Sequence, residues 1–124
     1  MVLLDTDVVI DFLHGDKRIV DAVKEYSIGE GIAITSITLY ELLKAENEKS
    51  LRLVHDFMND AEIYGLGAKE AIETSKVFKT LKKKGKPIGE NDTMIAGIAL
   101  SNDQTLITED GDFENIGSKN IIVI

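Results

Sequence analysis

Several acidic side chains in this sequence stand where a water molecule or a phosphate could be handled. Asp5 directly follows the apolar run Val2-Leu3-Leu4, within Asp5-Thr6-Asp7. Glu109-Asp110-Gly111-Asp112-Phe113 directly follows Thr105-Leu106-Ile107-Thr108. Glu41 is set among Leu39, Tyr40, Leu42 and Leu43, where a solvent-facing acid is less expected. Asp92 shares a helical stripe with Ile95, Ala96 and Ala99, so its carboxylate should point inwards. Each acid also has a plainer explanation. Asp5 can cap a helix by accepting backbone N–H bonds, worth roughly 1 kcal/mol. Thr38 and Glu41 have the spacing of a capping box, although Thr35 and Ser36 are equally available caps that would leave Glu41 inside its helix. Asp92 can be first-turn charge behind Asn91, a good N-cap residue. Taken together, inward carboxylates without enough bases around them repel, which raises pKa values and costs stability. A hard divalent cation, Mg²⁺ or Mn²⁺, relieves that repulsion through oxygen ligands. Such a site suits metal-assisted hydrolysis of a phosphodiester.

These side chains need elements to hold them. Five short β-type runs occur, at Val2–Leu4, Ile32–Ile34, Ile63–Tyr64, Thr105–Thr108 and Ile121–Ile124. Helical periodicity separates most of them. Val8, Val9, Phe12 and Leu13 mark a first helix, and Ile19, Val20 and Val23 a second beyond the break at Gly15. Ile37, Leu39, Tyr40, Leu42 and Leu43 mark a third, and Leu51, Leu53, Val54, Phe57 and Met58 a fourth. The fifth runs from about Gly67 to Lys84, and the sixth opens at Asn91 after the break Lys86-Pro87-Ile88-Gly89. Strands joined through helices imply crossovers, hence a mostly parallel sheet covered on both faces. Sites in such sheets lie beyond the carboxyl ends of the strands, where Asp5 and the Glu109–Asp112 cluster stand.

Composition excludes much else. With 124 residues, 44% of them hydrophobic, a single domain spanning 1–124 is expected. The absence of cysteine removes disulfides, thiol nucleophiles and cysteine zinc sites. His14 and His55 belong to no motif, and no Walker loop or Gly-x-Gly-x-x-Gly is present. Met94–Leu100 is the longest nearly apolar stretch, far short of the roughly 20 residues a membrane span needs. The acidic N-terminus is unlike a signal peptide, so a cytoplasmic protein is expected. The net charge is −8 but unevenly spread. Residues 67–86 hold 7 bases against 2 acids, while residues 1–66 hold 13 acids against 6 bases. The basic block, including Lys76, Lys79, Lys82, Lys83 and Lys86, is either a solvated helix face or a strip for phosphates.

Four segments in order resemble the PIN-domain ribonucleases, and within them the VapC-type toxins of toxin–antitoxin pairs. They are the first strand with Asp5-Thr6-Asp7-Val8-Val9-Ile10-Asp11, then Ser36-Ile37-Thr38-Leu39-Tyr40-Glu41-Leu42, Ile88-Gly89-Glu90-Asn91-Asp92-Thr93-Met94-Ile95-Ala96, and Leu106-Ile107-Thr108-Glu109-Asp110-Gly111-Asp112-Phe113. The resemblance implies a three-layer α/β/α sandwich around a mostly parallel five-stranded sheet. It implies that Asp5, Glu41 and Asp92 are the first three acids of a Mg²⁺ or Mn²⁺ site. Asp112 is favoured as the fourth catalytic acid, with Asp110 kept as a second-metal or water-bridged ligand. Thr6 and Thr108 would orient carboxylates through their hydroxyls, and Asn91 would cap the helix presenting Asp92. The implied reaction is in-line attack of water on an RNA phosphodiester, leaving 5′-phosphate and 3′-hydroxyl ends, with the lysine strip tracking the RNA backbone. The implied partners are a cognate antitoxin, packed on the first helices at an exposed Phe12 and Leu13 or inserting an Arg among the acids, and a second copy forming a homodimer. Two other readings stay open at this point. Asp5-Thr6-Asp7 also fits a phosphatase that uses the first Asp as a covalent nucleophile, and an acidic pocket can serve a non-catalytic domain that only binds a protein partner.

Overall fold

The computed structural model describes residues 1–124. Five strands, β1 (Val2–Leu4), β2 (Ile32–Thr35), β3 (Glu62–Tyr64), β4 (Thr105–Thr108) and β5 (Ile121–Val123), form one sheet in the order β3-β2-β1-β4-β5. Every pairing is parallel. Six helices connect them: α1 (Thr6–Leu13), α2 (Lys17–Ser27), α3 (Ser36–Leu43), α4 (Glu48–Asp60), α5 (Ala68–Lys83) and α6 (Glu90–Ser101). A 3₁₀ turn, Gly111–Ile116, lies between β4 and β5.

β1 is central because its three residues are fully apolar and pair on both sides, Leu3 with Ala33 and with Leu106. Alternation along the strands then divides the core in two. Val2, Leu4, Ile34 and Ile107 face one way and pack with Val8, Val9, Ile19, Val23, Val54 and Phe57. Leu3, Ala33 and Leu106 face the other way and pack with Val77, Leu81, Ile95, Ala96, Ala99 and Phe113. Hence α1, α2 and α4 cover one face and α5 and α6 the other, the three-layer arrangement that the sequence implies. The chain builds β2 and β3 on one side of β1 and β4 and β5 on the other. Strand order therefore reverses beside β1, the place where open parallel sheets bind ligands.

Helix starts differ from expectation at two informative places. α3 is capped by Thr35, the last residue of β2, whose Oγ1 accepts from Thr38 N at 3.0 Å. The capping box between Thr38 and Glu41 therefore does not form, and Glu41 is interior to the helix. α6 begins at Glu90 with Gly89 as its N-cap and no side-chain cap, so Asn91 does not cap it. The extended backbone of Gly89, ψ 157°, already turns the chain, and Asn91 becomes an ordinary half-buried residue of the first turn. Phe12 also departs from expectation. It is half-buried, with its ring edge-on to Phe57 at 6.2 Å, because α1 must cover the top of α4. Leu13 is half-buried as well, and Ile10 is the exposed large apolar residue of α1. No helix is long and apolar enough to cross a membrane.

Candidate active site

Asp5 leaves β1 and caps α1, and is only 5% exposed. Both of its carboxyl oxygens are engaged: Thr6 N donates to Oδ1 at 2.8 Å, and Thr108 Oγ1, at the end of β4, donates to Oδ2 at 2.8 Å. Burial nonetheless raises the Asp5 pKa above the usual aspartate value, and the charges of Asp7 and Asp110 add to the rise. Thr108 in turn accepts from Asp110 N at 3.0 Å, which fixes the chain as it turns away from β4.

Thr6, one residue further on, ties α1 to α3. Its hydroxyl donates to Glu41 Oε1 at 2.8 Å, and since a hydroxyl has one proton, Thr38 Oγ1 at 2.9 Å must be the donor to Thr6. Thr35 donates to Thr38 at 3.4 Å. The result is a directed chain of hydroxyls, Thr35 to Thr38 to Thr6, ending on the Glu41 carboxylate. Thr35 and Thr38 are fully buried; the sequence offers them as helix caps, and their part in a hydroxyl chain to Glu41 is what it does not reveal. The available signal was a pair of threonines three apart flanking an otherwise apolar helix start. Thr6 and Thr108 stand as carboxylate-orienting hydroxyls, as their positions suggest.

Asp92 enters from the first turn of α6 and is half-buried. Its pKa is pushed up to about 6, by burial first and then by the charges of Asp5, Asp110, Glu41 and Asp7. Five acids from four separate segments therefore share one field at the sheet edge. No lysine or arginine forms an ion pair with any of these five. No lysine pairs with Asp5, so the Asp-nucleophile alternative gains no support from the geometry. No three carboxylates converge at ligating distance on a single point. The donors are nonetheless all hard oxygens, anchored by hydroxyls and left without a counter-charge, the set that suits Mg²⁺ or Mn²⁺.

Asp110 and Asp112 part company. Asp110 caps the 3₁₀ turn, accepting from Asp112 N at 2.9 Å, and its charge acts on both Asp5 and Asp92. Asp112 is exposed and lines a separate small cleft with Lys86, Pro87, Ile88 and Asn115. Beside the centre, a cleft of about 500 Å³ is lined by Asp7, Ile10, Asp11, Glu109, Asp110 and Gly111. There burial and the adjacent Asp11 carboxyl push the Glu109 pKa up to about 7 against the opposing pull of Arg18, 3.1 Å away. An apolar groove of about 390 Å³ opens on the other side of Ile10, lined by Leu13, Leu42, Leu53 and Val54 and touching Glu41. Among the lysines, Lys76 approaches Glu73 at 3.9 Å, whereas Lys79, Lys82, Lys83 and Lys86 make no ion pair. Lys84 instead donates to Asn115 O at 2.7 Å and pins α5 to the 3₁₀ turn.

The PIN domain family matches residues 2–119 of the chain. Its relatives include ribonuclease VapC1 of Haemophilus influenzae strain R2866, 30% identical over 112 residues that span 86% of this chain and 84% of the relative. The tRNA(fMet)-specific endonuclease VapC of Shigella flexneri is 28% identical over 123 residues, 93% of this chain and 91% of its own. Among solved structures, DNA-bound VapBC of Salmonella typhimurium superposes with a TM-score of 0.85 at 28% identity, covering 99% of this chain and 98% of that one. VapBC-1 of nontypeable Haemophilus influenzae gives 0.84 at 28% identity over the same shares.

Proposed function

The chain belongs to the PIN-domain family, and from that membership we propose that it is the endoribonuclease toxin of a VapBC-type pair, cutting RNA at a divalent-cation site formed by Asp5, Glu41, Asp92 and Asp110. The observation that carries this reading is the set of carboxylates around buried Asp5 with no basic partner. Asp110 replaces Asp112 as the fourth acid, because it is Asp110 whose charge acts on Asp5 and Asp92. When bound, the cation supplies positive charge to the phosphate and acidifies water beside it.

The chain's own residues do the rest. Asp5 is the fixed anchor, locked by Thr108 and the Thr6 amide. Glu41 is held at Oε1 by Thr6, which leaves Oε2 free to accept a proton from the attacking water. Asp92 closes the site from α6. Lys79, Lys82, Lys83 and Lys86, together with Lys76, offer charge to the RNA backbone, which supplies affinity without sequence readout. The groove at Ile10, Leu13, Leu42, Leu53 and Val54 receives an antitoxin segment, and its contact with Glu41 brings that segment to the acids. A homodimer would use the exposed Leu66, Ile72 and Phe78.

The test is cleavage of a mixed pool of structured and single-stranded RNAs with Mg²⁺, with Mn²⁺ and with EDTA. Metal-dependent cuts bearing 5′-phosphates are expected, together with a rise in Tm on adding Mn²⁺. The absence of both cleavage and metal binding would overturn the reading. A smaller effect is expected at Thr108. Thr108→Val leaves Asp5 Oδ2 buried without its donor, so Mn²⁺ affinity should drop about 10–100-fold by calorimetric titration. Stability should fall by about 1–3 kcal/mol in urea denaturation.

A further inference from the structure

We propose that Arg18 is a substrate-positioning residue, holding an RNA phosphate next to the one that is cut. The inference rests on the nuclease reading above. The acidic cleft of about 500 Å³ shares Asp7 and Asp110 with the carboxylate centre, so a strand seated at that centre runs into it. Four carboxylates line this cleft, and a polyanion entering it needs a counter-charge.

The protein supplies one there. Of its five ion pairs, four join Met1 to Glu30, Lys17 to Asp21, Lys69 to Glu70 and Lys76 to Glu73, all away from the cleft. The fifth joins Arg18 Nη2 to Glu109 Oε1 at 3.1 Å. Arg18 is the second residue of α2, whose start is fixed by Asp16 accepting from Ile19 N. Its side chain bridges from there to the residue that follows β4. The contact is a single hydrogen bond donated by a side chain 63% exposed, an arrangement that is weakly held. A guanidinium has five N–H donors, so most of the fork is free for the bidentate geometry that a phosphate offers and a lone Glu109 oxygen does not. Glu109 thus keeps the guanidinium at the rim until RNA takes it.

Steady-state cleavage of a fluorescent single-stranded RNA, read against salt concentration, tests this in the full chain. Arg18→Ala should raise KM about tenfold with kcat and Tm unchanged. The slope of log kcat/KM against log salt should become shallower by about 0.7, as expected for one lost phosphate contact on a single strand. Arg18→Lys should recover the slope but only part of the KM, since the fork is lost. Lys17→Ala, whose ammonium pairs with Asp21 outside the cleft, should change none of these. If the wild type cuts RNA and Arg18→Ala keeps its KM and salt slope, or loses only kcat along with Tm, the proposal is overturned while the nuclease reading stands. If the wild type cuts nothing, that reading fails, and anisotropy of the labelled RNA decides Arg18 separately. A shallower salt dependence of binding in Arg18→Ala supports it, and an unchanged one overturns it.

Discussion

Replacing Asp92 by Asn should abolish RNA cleavage and, in the absence of metal, make the protein more stable. The loss should reach at least about 10²–10³-fold in kcat, the scale of removing a group that stabilises charge at a reacting centre. The gain in stability follows from proton linkage. The folded-state pKa of Asp92 is about 6 against an ordinary 3.8, so the folded chain binds more protons than the unfolded one between those values. Metal-free stability therefore falls as pH rises from about 4 to about 6, and above that window the full penalty of an unneutralised carboxylate is present. Asparagine has nearly the same volume and no charge. After discounting for the partial exposure of Asp92, the variant should be more stable at pH 7.5 by about 1 kcal/mol. That corresponds to roughly 4 °C in Tm. Below pH 4 the two proteins should melt together. With saturating Mn²⁺ the order should reverse, because only the wild type gains binding free energy. A variant that melts below the wild type in EDTA would mean that Asp92 is a structural acid after all.

The second large effect lies further along the same helix. Gly97 sits in the middle of α6, where an exchange to Ala ordinarily favours a helix by about 1 kcal/mol. Here the sign should be the opposite. A Cβ at position 97 would lie 2.0 Å from Thr74 Oγ1 and 2.6 Å from Thr74 Cα, so α5 and α6 touch almost backbone to backbone. The threonine hydroxyl is itself held by Glu70 O at 2.8 Å, and a backbone Cα has no rotamer through which to escape. The helices must separate, and Gly97→Ala should cost about 3 kcal/mol or more, the upper end for overpacking. Urea denaturation measures it. Thr74→Ala added to Gly97→Ala should recover only part, because the Cα clash remains. Full recovery would show that the hydroxyl alone sets the distance. Activity should fall as well, since α6 carries Asp92.

Much of the site was readable because residue type and strand position agreed. An Asp after Val2-Leu3-Leu4 and a Thr closing Thr105–Thr108 mark the carboxyl ends of buried parallel strands, and parallel pairing of β1 with β4 brings them together. The role of Glu41 was not decidable, since whether it closed a capping box depended on which of three hydroxyls began α3. Thr35 does so as the last strand residue, and a helix start set by a strand end has no local signature. Which of Asp110 and Asp112 lies nearer the other acids was not legible for a similar reason. Both follow the same strand, and the Asp110 cap on a 3₁₀ turn sends Asp112 to another cleft. Phe12 and Leu13 were read as surface because helical periodicity does not say that α4 arrives from elsewhere to cover them. The Arg18 bridge to Glu109 spans 91 positions and leaves no trace in sequence order.

The Thr108–Asp5 hydrogen bond joins residues 103 positions apart, across the central pair of an all-parallel sheet. Such a pairing is dominated by sequence-distant contacts, whose loop-closure entropy must be met before any reward is gained, and it forms slowly. The catalytic centre thus has no local precursor: a chain in which β1 and β2 have met but β4 has not docked holds Asp5 without its partner and without Asp110. The carboxylate cluster is therefore complete only when the last third of the chain has docked on the first strand.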